Sequence, residues 1–223
     1  MSLAFSPTRI PIDGDHVVGD RIGPATPRGV VVFAHASGSS RKSVRNRHVA
    51  SVIVGRGLQA LLLDLLTEEE KREDARTEAY RYDVRLLAER VAAAIDFLQA
   101  TEPHLPIGLY GSSTGAAAAL VAAAARPHAV GAIVSRGGRP DLAGDALSRV
   151  VAPTLALVGG EDPVVLELNR DSLARLGGHW RLEVVPGAGH LFEEPGTLET
   201  VARAAADWFL HYLPIWQGVP AEI

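Results

Sequence analysis

The sequence predicts an α/β fold built on a mostly parallel sheet, and three observations carry that prediction. From about residue 30 onward, short apolar runs of strand length alternate with longer stretches of helical periodicity, the pattern of successive βαβ units. One run passes through a Gly-Ser-Ser-Thr-Gly turn directly into an alanine-rich helix. The 223 residues are 47% hydrophobic and 22% charged, the balance of one ordinary domain with a sizeable core.

In chain order, segments 9–12 and 16–18 around Asp13 and Gly14 predict an N-terminal hairpin. Buried strands are expected at Val30–Ala34, 60–64, 107–110, 130–135, 154–158 and 182–185. Between them, 83–99 places Val84, Leu87, Ala88, Val91, Ile95 and Leu98 on one stripe at three- and four-residue steps, which predicts an amphipathic helix. The last helix repeats this with Val201, Ala205, Trp208, Phe209 and Tyr212, and Thr197 is its expected capping residue. The charge-dense stretch 68–78 reads as a solvated loop or the start of a helix. Fewer than twenty residues separate the strand end at Ser135 from Thr154, too few for a separate lid, so residues 1–223 are expected to form a single domain with no cap. The tail from Leu213 is expected to pack on this domain or on a neighbour.

Composition removes several function classes. Lys plus Arg total 22 against 26 Asp plus Glu, a net charge of -4, so there is no general electrostatic pull toward nucleic acid or anionic membrane. The longest apolar stretch, 116–125, is far short of the roughly 20 residues a bilayer span needs. Residues 1–12 lack the basic and apolar regions of a signal peptide, and a cytoplasmic location is expected. With no cysteine, disulfides, thiolate metal sites and a cysteine nucleophile are excluded. His104, His128, His179 and His211 show no metal-ligand spacing, and there is no P-loop or dinucleotide fingerprint.

The chemistry gathers in three places. Gly111-Ser112-Ser113-Thr114-Gly115 sits between a strand and a helix, the context of a nucleophile elbow. Ser113 is held on a strained turn, Gly111 and Gly115 remove side chains where strand and helix cross, and the helix N-terminus favours negative charge there. A carboxylate, Asp162, tips the turn after the strand ending near Val158, and His190 lies in the loop Gly187-Ala188-Gly189-His190 after the next. Serine needs a base to take its proton, and imidazole needs a carboxylate to fix its tautomer, so Ser113, Asp162 and His190 supply a complete acyl-transfer set. For the oxyanion, one donor is expected from the N–H of Thr114 and the other from the loop His35-Ala36-Ser37, with Ser37 favoured over Ala36 and His35 read as structural. Arg41, Lys42, Arg45, Arg47, Arg136 and Arg139 leave the sheet at the same edge; they either pair with nearby carboxylates and hold loops, or bind an anionic substrate group, for which Arg136 is the candidate.

From roughly residue 30 to residue 213 the chain resembles an α/β-hydrolase of the dienelactone-hydrolase-like group. The resemblance rests on Val31-Val32-Phe33-Ala34-His35, the elbow at Ser113, the run from Ala152 to Asp162, and Gly187-Ala188-Gly189-His190-Leu191-Phe192. It implies a mostly parallel eight-stranded sheet with helices on both faces, no cofactor, and hydrolysis of an ester, lactone or related small acyl compound. True dienelactone hydrolases use cysteine where this chain has Ser113, so their substrate does not carry over. Relatives also usually have glycine where this chain has Ala36, and alanine costs on the order of 1 kcal/mol if that position needs a positive φ. The same three groups also serve an acyltransferase or perhydrolase, and a non-catalytic ligand-binding domain on this fold is the remaining alternative.

Overall fold

The computed structural model describes residues 5–213; the expectation for the C-terminal tail falls on residues outside that range, apart from Leu213. One sheet contains β1 (Ser6–Ile12), β2 (Asp15–Ile22), β3 (Val30–Ala34), β4 (Gln59–Leu63), β5 (Ile107–Ser112), β6 (Val130–Arg136), β7 (Thr154–Gly159) and β8 (Trp180–Val185). Their order across the sheet is β1-β2-β4-β3-β5-β6-β7-β8. The hairpin of β1 and β2 forms as expected and joins β4 antiparallel, while β3 to β8 all run parallel. β1 therefore runs in the same sense as β3 to β8, and seven carboxyl ends share one edge, where an open α/β sheet builds its site.

Helices α1 (Val44–Gly55), α2 (Glu68–Thr77), α3 (Val84–Thr101), α4 (Thr114–Ala125), α5 (Pro163–Leu173) and α6 (Thr197–Tyr212) connect the strands, with a 3-10 segment at Pro140–Arg149. One apolar layer lies between the sheet and α3 and α4, built on Leu109, Ile133, Val91, Ile95 and Leu120. The other lies under α1 and α6, with Phe33, Tyr110, Val134, Ile53 and Phe209. Almost every residue of α4 is buried, and its alanines let it approach both the sheet and α3 closely. The stretch 68–78 is a helix rather than a loop because Thr67 and Glu70 close a capping box on its first turn. Thr197 is not the cap of the last helix: it is the first helical residue, after Gly196 in the left-handed region, and its hydroxyl donates to the Glu194 carbonyl at 2.7 Å.

A charge network ties the carboxyl edge together. The fully buried Asp64, just past β4, accepts from the Arg41 N–H at 2.8 Å, from Lys71 Nζ at 2.6 Å and from the Arg41 guanidinium. Arg41 and Arg47 also hold Asp20 on β2, at 3.0 and 2.7 Å. Burial pushes the Asp64 carboxyl up, but the bonds from Lys71 and Arg41 outweigh it and hold the group below the ordinary 3.8. A carboxyl depressed on folding contributes stability above its unfolded value, and that contribution is lost as pH falls through the folded value. Asp64→Asn is expected to cost about 3 kcal/mol at pH 7 in urea denaturation and to make stability less sensitive to acid below pH 4. An unchanged urea midpoint would mean that the network does not bear on stability.

Candidate active site

Strand β5 turns into α4 at Ser113, whose backbone sits at φ 51°, ψ −121°, a region that few non-glycine residues occupy. The turn is that tight because of its flanking glycines. A β-carbon on Gly111 would fall within 3.0 Å of the Ala116 backbone, and one on Gly115 within 3.0 Å of the carbonyls of Ala34 and His35. The Ser113 N–H donates to the Arg136 carbonyl at 3.2 Å, and its own carbonyl accepts from Ala116 and Arg139. Thr114 opens the helix, so its N–H belongs to the first turn that has no intrahelical acceptor.

Asp162 caps α5, accepting from the Val165 N–H at 3.4 Å through Oδ1, which leaves Oδ2 for His190. His190 Nδ1 donates to that oxygen at 2.7 Å. The two loops are stitched together: Gly160 and Glu161 donate to the carbonyls of Val185 and Ala188, both at 2.9 Å. The imidazole lies over Gly137, where an added β-carbon would be 3.5 Å from Cε1. Gly137 follows the residue whose carbonyl receives the Ser113 N–H, so the ring lies over the residue next to the backbone partner of Ser113. No hydrogen bond joins His190 to Ser113 in this structure, a contact that often tightens only when substrate is bound.

The loop after β3 is built differently from the expectation. Ala36 is not among the residues with positive φ, so alanine there carries no strain; the left-handed residue is Gly38. His35 is a clip: Nδ1 donates to the Ala36 carbonyl at 2.8 Å and Nε2 accepts from the Leu65 N–H at 3.1 Å. Burial lowers its pKa below the ordinary 6.5, which keeps the ring neutral. Ser37 and Thr114 do come together, but the Ser37 N–H is spent on Thr114 Oγ1 at 3.0 Å. The two hydroxyls lie 2.7 Å apart, and Ser37 Oγ donates to the Arg81 carbonyl at 2.8 Å. Nothing in local sequence pattern announces this contact, which spans 77 residues.

Of the five arginines at this edge, four are paired: Arg41 and Arg47 as described, Arg45 with Glu193 at 2.8 Å, and Arg139 with Asp141 at 2.9 and 2.7 Å. Arg136 is 6% exposed, and its Nε and Nη1 find no partner among the described residues. Its guanidinium stands 5.8 Å from the centre of the Phe192 ring. No cluster of His, Asp and Glu able to hold a metal ion occurs among the described residues.

The strand order, with the sharp β5-to-α4 turn near its middle, is that of the α/β-hydrolases. A family model described as "Dienelactone hydrolase family" matches residues 18–216. The chain belongs to the dienelactone hydrolase family, a family of hydrolases. It is 49% identical to a dienelactone hydrolase of Anabaena variabilis, whose crystal structure superposes with a TM-score of 0.92 over 96% of this chain and 100% of that one. It is 58% identical over 200 residues to a Mycobacterium tuberculosis H37Rv protein named "Putative phosphoribosyl transferase". That match covers 88% of this chain but 44% of the relative, so the chain spans less than half the length of the curated protein it matches. Est1E from Butyrivibrio proteoclasticus, at 15% identity and a TM-score of 0.77 over 92% of this chain and 98% of that one, shares the fold.

Proposed function

We propose that this protein hydrolyses a small carboxylic ester, lactone or related acyl compound through an acyl-enzyme on Ser113. In this reading Ser113 Oγ attacks the acyl carbonyl while His190 Nε2 takes its proton, and Asp162 holds the imidazole by Nδ1 and balances the cation. The N–H groups of Thr114 and Ser37 receive the oxyanion, which requires Thr114 Oγ1 to turn away from the Ser37 amide. Collapse releases the alcohol, protonated by His190; water then attacks the ester on Ser113, His190 takes its proton and returns it to Ser113 Oγ, and the acid leaves. The observation that carries the reading is the 2.7 Å bond between His190 and Asp162, made with the ring over Gly137, next to the backbone partner of Ser113. The uncompensated charge of Arg136 in the residue paired with Ser112 supports a contact with an anionic substrate group. The name of the M. tuberculosis relative belongs to a chain about twice as long, and the serine chemistry proposed here does not draw on it.

A fluorophosphonate probe is expected to label Ser113 of the folded protein, and failure to label would remove the acyl-enzyme mechanism. Gly137→Ala offers a finer test. Gly137 sits at φ 49°, and an added methyl would be 3.2 Å from the His190 carbonyl and 3.5 Å from the His190 and Phe192 rings. Displacing the base by a fraction of an ångström is expected to lower kcat about 10- to 100-fold with the fold retained. Ester kinetics beside a thermal melt decide it, and an undiminished kcat would mean that His190 is not the base.

A further inference from the structure

A cavity of about 200 Å³ lies between the loop that carries Ser37 and the segment from the end of β4 to the start of α3. Leu65, Leu66, Ala75 and Leu87 supply apolar wall, and Ser37, one of the proposed oxyanion donors, forms the partition toward Thr114. The charged groups around it are already committed to each other. Asp74 accepts from the N–H groups of Tyr80 and Arg81, both at 2.9 Å, and from Arg81 Nε at 2.8 Å. Arg81 spends its remaining nitrogens on the Asp74 carbonyl and on Glu78, and Lys71 holds Asp64 and Glu68. Both nitrogens of His35 are in use. A ligand entering this space therefore meets apolar surface beside ion pairs whose charges are already balanced, and a charged group would gain little there to offset its desolvation.

We infer that this cavity is the acyl subsite of the reaction proposed above and that it takes an uncharged, apolar acyl group of about the bulk of a benzene ring. The size follows from volume: an apolar cavity of about 150 Å³ accommodates benzene. The position follows from Ser37, since an acyl carbonyl whose oxygen points at the Ser37 and Thr114 amides has its substituent next to the same loop. The inference rests on the hydrolase reading but assigns the acyl group from separate residues, and an anionic group held by Arg136 then belongs to the alcohol side of the substrate.

The test compares p-nitrophenyl acetate, butyrate and the monoanionic succinate ester, with benzyl alcohol as a binding probe that needs no turnover. Each methylene moved out of water is worth about fourfold, so kcat/KM is expected to rise about 15-fold from acetate to butyrate and not to rise for succinate. Ala75→Phe fills the cavity from an exposed position on α2 and is expected to bring the butyrate-to-acetate ratio close to one. Saturation-transfer NMR is expected to show benzyl alcohol on the wild type and on Ser113→Ala, with the signal lost in Ala75→Phe. Ester turnover with a flat chain-length profile, or benzyl alcohol binding indifferent to Ala75→Phe, would overturn the subsite and leave the hydrolase reading standing. Benzyl alcohol binding that Ala75→Phe abolishes, with no ester turned over and no label on Ser113, would keep the cavity as an apolar ligand site, overturning its acyl role with the hydrolase reading.

Discussion

Ser113→Ala is expected to lower turnover of a short p-nitrophenyl ester by at least about 10⁴-fold while the protein stays folded. Removing Oγ deletes the only atom that forms a covalent bond to the acyl group in the proposed mechanism, and His190 and Asp162 have no other group to activate but water. The residual rate would come from the oxyanion donors and from binding alone. The backbone should tolerate the change, because alanine carries the same β-carbon as serine and the turn is set by Gly111, Gly115, the bond that the Ser113 N–H donates to the Arg136 carbonyl and the one its carbonyl accepts from Arg139. Steady-state kinetics beside a circular dichroism spectrum and a melt decide the matter. A variant that keeps a tenth of the activity would move the chemistry to another nucleophile.

Gly115→Ala is expected to be strongly destabilising. The added carbon would lie within 3.0 Å of two backbone carbonyl oxygens, those of Ala34 and His35, where β3 leaves the sheet. Neither oxygen is on a flexible side chain, so relief requires α4 to move off the sheet, and α4 is buried on nearly all sides. Overpacking without relief costs at least about 3 kcal/mol, a large share of a typical domain's stability. Urea denaturation, or the loss of soluble protein where the deficit is greater, reads this out. A change under 1 kcal/mol would show that the strand-helix crossing is looser than its distances imply. The same shift of α4 would carry Ser113 and Thr114 with it, so any soluble Gly115→Ala protein should also lose activity.

The strands were legible because a parallel sheet buried on both faces leaves short apolar runs: Val30–Ala34 emerges with the expected ends, and the others differ by a few residues. The elbow was legible for a local reason, since only glycine fits beside Ser113 where strand and helix cross. The stretch at 68–78 was left between loop and helix because its charges mask any amphipathic stripe, and its helix depends on the single capping box at Thr67. Thr197 was misplaced by one position because Gly196 takes the left-handed conformation itself. The cost assigned to Ala36 did not arise, because the loop places its left-handed residue at Gly38.

By itself, the sequence determined the α/β class, the order in which the serine, the aspartate and the histidine follow their strands, and the absence of thiol chemistry. Each is a property of neighbouring residues or of residue type. Only the tertiary structure decided that the Ser37 amide is engaged by Thr114, that Arg136 is the one arginine of its group without a carboxylate among the described residues, and that a space with apolar wall lies behind the loop that carries Ser37. Those outcomes depend on which polar group reaches which partner across distant strands. A hydrogen bond falls off within a fraction of an ångström, far finer than any spacing along the chain can specify.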